Sequence, residues 1–270
     1  MPTVSGPPAG IHYEVTGPVS APPLVALRGL ARSLRHWPDA FLDAVQREMR
    51  LILIDNRGVG RSEPVATPYT TEDMAGDVVR VLDHAGIDRV HLFGMSLGGM
   101  IGQWVAIRHP DRVRRLVLGC TSPGGPASER AQLSVFVSLA RARFADETTR
   151  AEVEARYLLG DPQLPHHRAI IDRWAELARE APVPRATAML QLLAAARHRA
   201  LDELGAVRAR TLLLSSEIDA MVPPANSRLL ARRIRHAELQ WLPGAAHDFV
   251  SVVPDETARL VLDFCRDAEP

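Results

Sequence analysis

VHLFGMSLGGMIGQWVAIR, residues 90–108, is the stretch on which the fold turns. Val90 to Phe93 is a short run of apolar and β-favouring residues with little polar alternation, as in a strand buried on both faces. It runs without a linker into Gly94-Met95-Ser96-Leu97-Gly98, a G-x-S-x-G turn. In a tight strand-to-helix turn of this kind the serine is held in a strained backbone conformation with its hydroxyl lifted above the sheet. Glycines flank it because side chains there would clash. The helix that follows is apolar nearly all round (Met100, Ile101, Trp104, Val105, Ile107), so it is expected to be buried, and Pro110 stops it.

Moving outward, the same rhythm recurs. Leu24 to Leu27, Leu51 to Ile54 and Leu116 to Leu118 read as further buried strands, and Ile11 to Val15 as an early edge strand. Between them, Thr70 and Asp73 have capping-box spacing. Ala75, Val78, Val79 and Leu82 then recur at helical intervals up to Gly86. Strand and helix alternating in this way predict a mostly parallel central sheet flanked by helices. From about residue 123 to 204 the pattern changes to Ala, Arg, Leu and Glu with no convincing strand. Helical stretches there (Ala131 to Phe144, Thr148 to Leu159, His167 to Glu180) are broken by Gly160-Asp161-Pro162 and Pro182-Val183-Pro184. The alternation then resumes with strands at Thr211 to Leu214 and Leu239 to Leu242, and helices at Ala225 to Ile234 and Asp255 to Phe264. The expected organisation is a discontinuous core, 1–122 and 205–270, with a helical lid, 123–204, inserted between its halves.

Composition removes several function classes. The chain has 270 residues, 46% hydrophobic and 24% charged, with 32 basic and 32 acidic residues. A balanced charge gives no electrostatic footprint for nucleic acid. Every basic residue is arginine; without lysine, neither a Schiff-base enzyme nor a P-loop nucleotide site can be built. Gly58-Val59-Gly60 is too short for a dinucleotide fingerprint. The two cysteines, Cys120 and Cys265, form no metal-binding pattern, and the adjacent His166 and His167 would point apart. No cofactor and no metal are therefore expected. No apolar run approaches the roughly 18 residues of a membrane span, and no leader pattern opens the chain, so the expected compartment is the cytoplasm and the expected partner a small-molecule substrate. Nothing marks an oligomeric state.

A serine hydroxyl needs a base to become a nucleophile. In an open parallel sheet, loops at the carboxyl ends of the strands meet in one crevice. The two late loops of that kind are Ser215-Ser216-Glu217-Ile218-Asp219-Ala220-Met221-Val222-Pro223 and Pro243-Gly244-Ala245-Ala246-His247-Asp248-Phe249. They supply a carboxylate and an imidazole, in the order Ser, Asp, His.

With Gly94 to Gly98, the acid loop Asp219 to Pro223, the histidine loop Gly244 to His247 and the turn Asp55-Asn56-Arg57-Gly58-Val59-Gly60-Arg61-Ser62, the chain resembles the α/β-hydrolase superfamily from about residue 11 to 265. The resemblance implies Ser96 as nucleophile, His247 as general base and acid, and Asp219 as its orienting carboxylate. It implies an oxyanion hole from the backbone N–H groups of Leu97 and Leu30. It also implies hydrolysis of an ester, lactone or thioester of a mostly apolar small molecule through an acyl-serine. Carbon–carbon hydrolysis, acyl transfer, perhydrolysis, or a ligand-binding protein on the same fold are the alternatives. Relatives with an aspartate nucleophile are set aside by Ser96. Where the family usually has His-Gly, this chain has Arg28-Gly29-Leu30; Arg28 either pins the loop or reaches a substrate anion. The expected alternatives for other residues are bland: Asp55 in a loop salt bridge with Arg57 or Arg61, His84, His109, His198 and His236 solvated, and Phe136, Phe144, Tyr157, Trp174 and Met189 as lid core, with His36 and Trp37 bordering the pocket.

Overall fold

The computed structural model describes residues 2–6, 8–160 and 165–266, with the side chains of Pro165 and His166 outside the described set; the expected break after Gly160 therefore lies largely outside it. The strands are β1 (Thr3–Val4), β2 (Ile11–Thr16), β3 (Pro23–Leu27), β4 (Arg50–Ile54), β5 (Val90–Met95), β6 (Val113–Gly119), β7 (Arg210–Ser215) and β8 (Ala237–Trp241). They form one sheet in the order β1-β2-β4-β3-β5-β6-β7-β8. All pairs from β4 to β8 are parallel, and β1 and β2 run antiparallel to their neighbours. The helices are α1 (Asp39–Gln46), α2 (Thr71–His84), α3 (Leu97–Arg108), α4 (Leu133–Ala142), α5 (Glu147–Leu158), α6 (Pro165–Glu180), α7 (Arg185–Ala196), α8 (Ala225–Arg233), α9 (Phe249–Val252) and α10 (Pro254–Arg266).

The strands are apolar without alternation because both faces are covered. Successive side chains of a strand point to opposite faces. Val25, Leu27, Ile52, Ile54 and Leu92 join one core with residues of α2 and α3. Leu24, Ala26, Leu51, Leu53 and Phe93 join the other with Phe41 and Val45 of α1 and Val261 of α10. Helix α2 starts where the capping box predicts: Thr70 Oγ1 accepts from the Asp73 N–H, and Asp73 accepts from the Thr70 N–H. One expectation is corrected. Ile11–Thr16 is not an edge, because β1 pairs outside it, Thr3 opposite His12 and Val4 opposite Ile11. A two-residue strand is too short to show a period in sequence.

Helices α4 to α7 lie between β6 and β7. The ends of this helical insert are drawn together by a bridge between Gly124 and Arg199. The Ala200 N–H bonds to the Pro123 carbonyl at 2.9 Å beside it. The insert has a small core of Ala151, Ala155, Leu159, Ile171, Trp174 and Ala175. Of the aromatic and Met residues expected there, Trp174 is buried, whereas Phe136, Phe144 and Met189 are 41%, 82% and 64% exposed. Helix α4 turns inward only Val135 and Ala142. His198 is also corrected: it is buried against Thr71 and Gln103 and not solvated, and burial pushes its pKa down to about 3, so it is neutral. No helix among the described residues is long and apolar enough to cross a membrane.

Candidate active site

Ser96 stands between the last residue of β5 and the first of α3. Its backbone has φ 54° and ψ −116°, a conformation that costs an L-residue energy and must be held by its surroundings. The surroundings are visible. The Ser96 N–H donates to the Gly119 carbonyl at 2.8 Å. Its own carbonyl accepts from Thr121 Oγ1 at 2.7 Å and from the N–H groups of Gly99 and Met100. A methyl group on Gly94 would collide with the backbone of Gly98 and lie 2.7 Å from the Gly99 nitrogen, so only glycine lets strand and helix fold back this tightly. Gly94→Ala is therefore expected to cost several kcal/mol, read as a fall in thermal midpoint with loss of soluble protein. The Ser96 side chain is partly exposed, and among the described residues its hydroxyl makes no hydrogen bond, to His247 included.

His247 and Asp219 are brought together as the loop spacing predicts. His247 Nδ1 donates to Asp219 Oδ2 at 2.8 Å. The other carboxylate oxygen accepts the N–H groups of Met221 and Val222, each at 2.8 Å. These bonds fix the carboxylate, and the acid loop thus aims one oxygen at the imidazole. Both side chains are buried. Burial alone would pull the His247 pKa down. The charge of Asp219, its hydrogen bond and the charge of Asp248 outweigh burial and the opposing Arg28, and the net direction is up.

The loop after β3 passes directly over the serine. A Cβ on Gly29 would sit 3.2 Å from Ser96 Cβ and 3.6 Å from Ser96 Oγ, and glycine permits that approach. Among the described residues, neither the Leu30 nor the Leu97 N–H has a protein acceptor, and Leu97 opens α3, where the helix dipole favours negative charge.

The Arg28 side chain is turned to Asp248. Its guanidinium is buried and makes two bonds to Asp248, Nη1 to Oδ1 at 3.0 Å and Nη2 to Oδ2 at 2.7 Å. It lies 5.0 Å above the ring of Trp37, which is itself buried in the core. The Arg28 guanidinium holds the Asp248 carboxyl below the usual carboxylate range, against the upward push of burial. Arg28 precedes Gly29 and Asp248 follows His247, so this ion pair fixes the loop over the serine relative to the loop of His247.

Asp55 is not in the salt bridge expected of it. It accepts the N–H groups of Leu34 and Arg61, while Arg57 pairs with Asp77 at 2.7 Å. His36 accepts the Ser33 N–H and is held well below its usual pKa by burial and then by the Arg32 and Arg28 charges.

Two residues near the site escaped the motif reading. Cys120, after β6 and at φ 41°, directs its thiol to Asp219; burial first, then the Asp219 charge, pushes its pKa well above the usual value. Donor atoms of Cys120, Asp219 and His247 lie within 4.8 Å of one another. That spacing could hold a soft metal ion, yet the imidazole and carboxylate already satisfy each other and the thiol keeps its proton. The positive φ of Cys120 is invisible in sequence. Gln191 of α7 is the other, and its signal is only a polar residue on an otherwise inward helix face.

A family model described as alpha/beta hydrolase fold matches residues 22–252. The chain is 30% identical over 275 residues to the "Putative carbamate hydrolase RutD" of Azorhizobium caulinodans, covering 100% of both chains, and 32% identical to that of Variovorax paradoxus, covering 94% of this chain and 95% of the relative. Among solved structures, a hydrolase from Pseudomonas aeruginosa PA01 superposes with TM-score 0.84 at 27% identity, covering 97% of each chain. The enol-lactonase from Burkholderia xenovorans LB400 superposes with TM-score 0.85 at 24% identity, covering 98% of this chain and 100% of that one, and attests the shared fold.

Proposed function

The chain belongs to the alpha/beta-hydrolase-fold family and is a hydrolase, and from that premise we propose that it is a serine hydrolase of carboxylic acid derivatives acting through an acyl-Ser96 intermediate. The observation that carries the reading is a buried imidazole braced by a carboxylate at 2.8 Å, at the same sheet end as a partly exposed serine strained at φ 54°. Ser96 Oγ attacks the substrate carbonyl carbon as His247 Nε2 takes its proton. The tetrahedral oxyanion is received by the N–H groups of Leu30 and Leu97. The intermediate collapses, the C–O bond to the alcohol breaks, and His247 returns the proton to the leaving oxygen. Water then repeats the sequence on the acyl-enzyme, releasing the acid and restoring Ser96.

Leu30, next to Gly29 in the loop over the serine, and Ile218, 59% exposed in the acid loop, favour an apolar substrate. The helical insert is read as a cap, since it bonds to the histidine loop and to the loop after β3: the Asp248 N–H to the Leu158 carbonyl at 2.7 Å, and the Ala31 N–H to Gln191 at 2.8 Å. The names of the RutD relatives support a second substrate class. A carbamate carbonyl presents the same geometry to Ser96 and would give a carbamoyl-enzyme. A panel of aryl esters, lactones, acyl thioesters and carbamates tests the reading. Esters and lactones are expected to show the highest kcat/KM, with turnover proportional to labelled Ser96. Turnover confined to carbamates would transfer the assignment to that class, and no turnover by folded protein would overturn it.

The pH dependence has a sign. His247 must be neutral to act as base, and its pKa is raised, so the acid limb of kcat/KM is expected above about pH 6.5. Asp248→Asn removes a charge that raises this pKa and leaves the Arg28 cation that lowers it. The limb should therefore move to lower pH, measured as a pH–rate profile; an unmoved or upward limb would refute the coupling.

A further inference from the structure

We propose that Gln191, in the helical insert, is the positioning residue that holds the loop of the oxyanion hole in its working shape, so that seating of the insert and assembly of the hole are one event. The proposal rests on the serine-hydrolase reading above. Gln191 is fully buried in the middle of α7. Its Oε1 accepts the Ala31 N–H at 2.8 Å, and its Nε2 donates to the Arg57 carbonyl at 3.3 Å. The amide thus ties two core loops together through one side chain from outside the core. An orphaned amide in such a place would be costly, which makes the pairing firm.

Ala31 is one of three non-glycine residues at positive φ among the described residues, at 56°. That conformation is unfavourable for alanine and needs an external hold. Gln191 supplies it on the N–H next to that of Leu30, the group placed to receive the oxyanion. The insert meets the same stretch of chain at other points. Arg32 pairs with Glu154 of α5 at 2.7 Å and lies 4.2 Å over the ring of Trp174 of α6. Arg35 pairs with Glu180 at 2.7 Å. Thr187, one turn before Gln191, packs so closely on Gly58 that a Cβ there would come within 2.6 Å of its Cγ2. The Arg35–Glu180 pair is exposed and individually weak, and the Arg32–Glu154 pair is only partly buried; the buried amide is the contact that addresses the loop's strained residue.

The test compares Gln191→Met, which keeps length and loses both polar atoms, with Gln191→Glu, which keeps an acceptor for the Ala31 N–H. Gln191→Asn, one methylene too short, carries the same expectation as Gln191→Met and replaces it if that variant does not fold. Fluorophosphonate labelling of wild-type Ser96 first tests the underlying reading on its own. Given labelling, Gln191→Met should lower kcat about 10- to 100-fold with KM within about 2-fold. It should weaken a trifluoromethyl ketone, which forms the oxyanion, by the same factor. Gln191→Glu should retain most of kcat. Wild-type kcat in Gln191→Met, equal losses in Met and Glu variants, or a change in KM alone would overturn the proposal, while an unlabelled wild type would overturn the hydrolase reading instead.

Discussion

Ser96→Ala is expected to lower kcat by at least about 10⁴-fold while leaving the thermal midpoint nearly unchanged. The first part follows from the role proposed for the hydroxyl: without it no acyl-enzyme forms, and only positioning and the oxyanion hole remain. The second part follows from the structure. The hydroxyl makes no hydrogen bond among the described residues, and its side chain is partly exposed. The strained backbone is held by Gly119, Thr121 and the first turn of α3, all through hydrogen bonds to the Ser96 backbone and not to its hydroxyl. Alanine also stands at a comparable φ at position 31. The measurements are a progress curve on the best ester, thermal denaturation, and labelling by a fluorophosphonate. Labelling should occur at Ser96 in the wild type and vanish in the variant. A folded wild type that is never labelled would favour a ligand-binding protein on a hydrolase scaffold.

The largest expected effect on stability is at the buried pair beneath the site. Arg28→Met leaves the Asp248 carboxylate buried with one remaining bond, from Ser251 Oγ at 3.0 Å. Among the described residues, Asp248→Leu leaves the guanidinium no hydrogen-bond partner and only the Trp37 face. Removing one partner of a buried pair costs about 3–5 kcal/mol, a fall of roughly 10 °C in a chain of this size. The double variant Arg28→Met/Asp248→Leu replaces both charges by apolar groups and should recover most of the loss. Its activity should recover less, because the geometric tie between the Gly29 and His247 loops is gone. Thermal melts of the three proteins, paired with kcat, decide this. Single variants that melt within a degree or two of wild type would show that the pair carries no such weight.

The contrast between Arg28 and Ser96 shows what a sequence can disclose. Ser96, Asp219 and His247 each sit in a short loop whose glycines, prolines and flanking strands identify it locally; all three loops follow carboxyl ends of parallel strands, and Asp219 meets His247 there. The parallel sheet was legible for the same reason: runs such as Leu51 to Ile54 are apolar because both faces are covered. Arg28 offered two readings, and the choice depended on a carboxylate 220 residues away. No period or motif links such residues. Gln191 was silent because a helix of small and apolar residues presents a polar side chain inward only where a neighbouring backbone demands it. Phe144 and Met189 are exposed although apolar, because Phe144 lies beyond the end of α4 and Met189 lies off the face of α7 that carries Thr187, Ala188, Gln191 and Ala194.

The bridge between Gly124 and Arg199 has an implication for how such enzymes diversify. Chain leaves the sheet and re-enters it through one doorway, so whatever is spliced between those residues need not disturb the strand register on either side. A laboratory graft of a helical module of different length leaves the strands in place, but the loop after β3 must find its support anew. The graft that keeps an amide at the place of Gln191 would be the one to inherit a working enzyme.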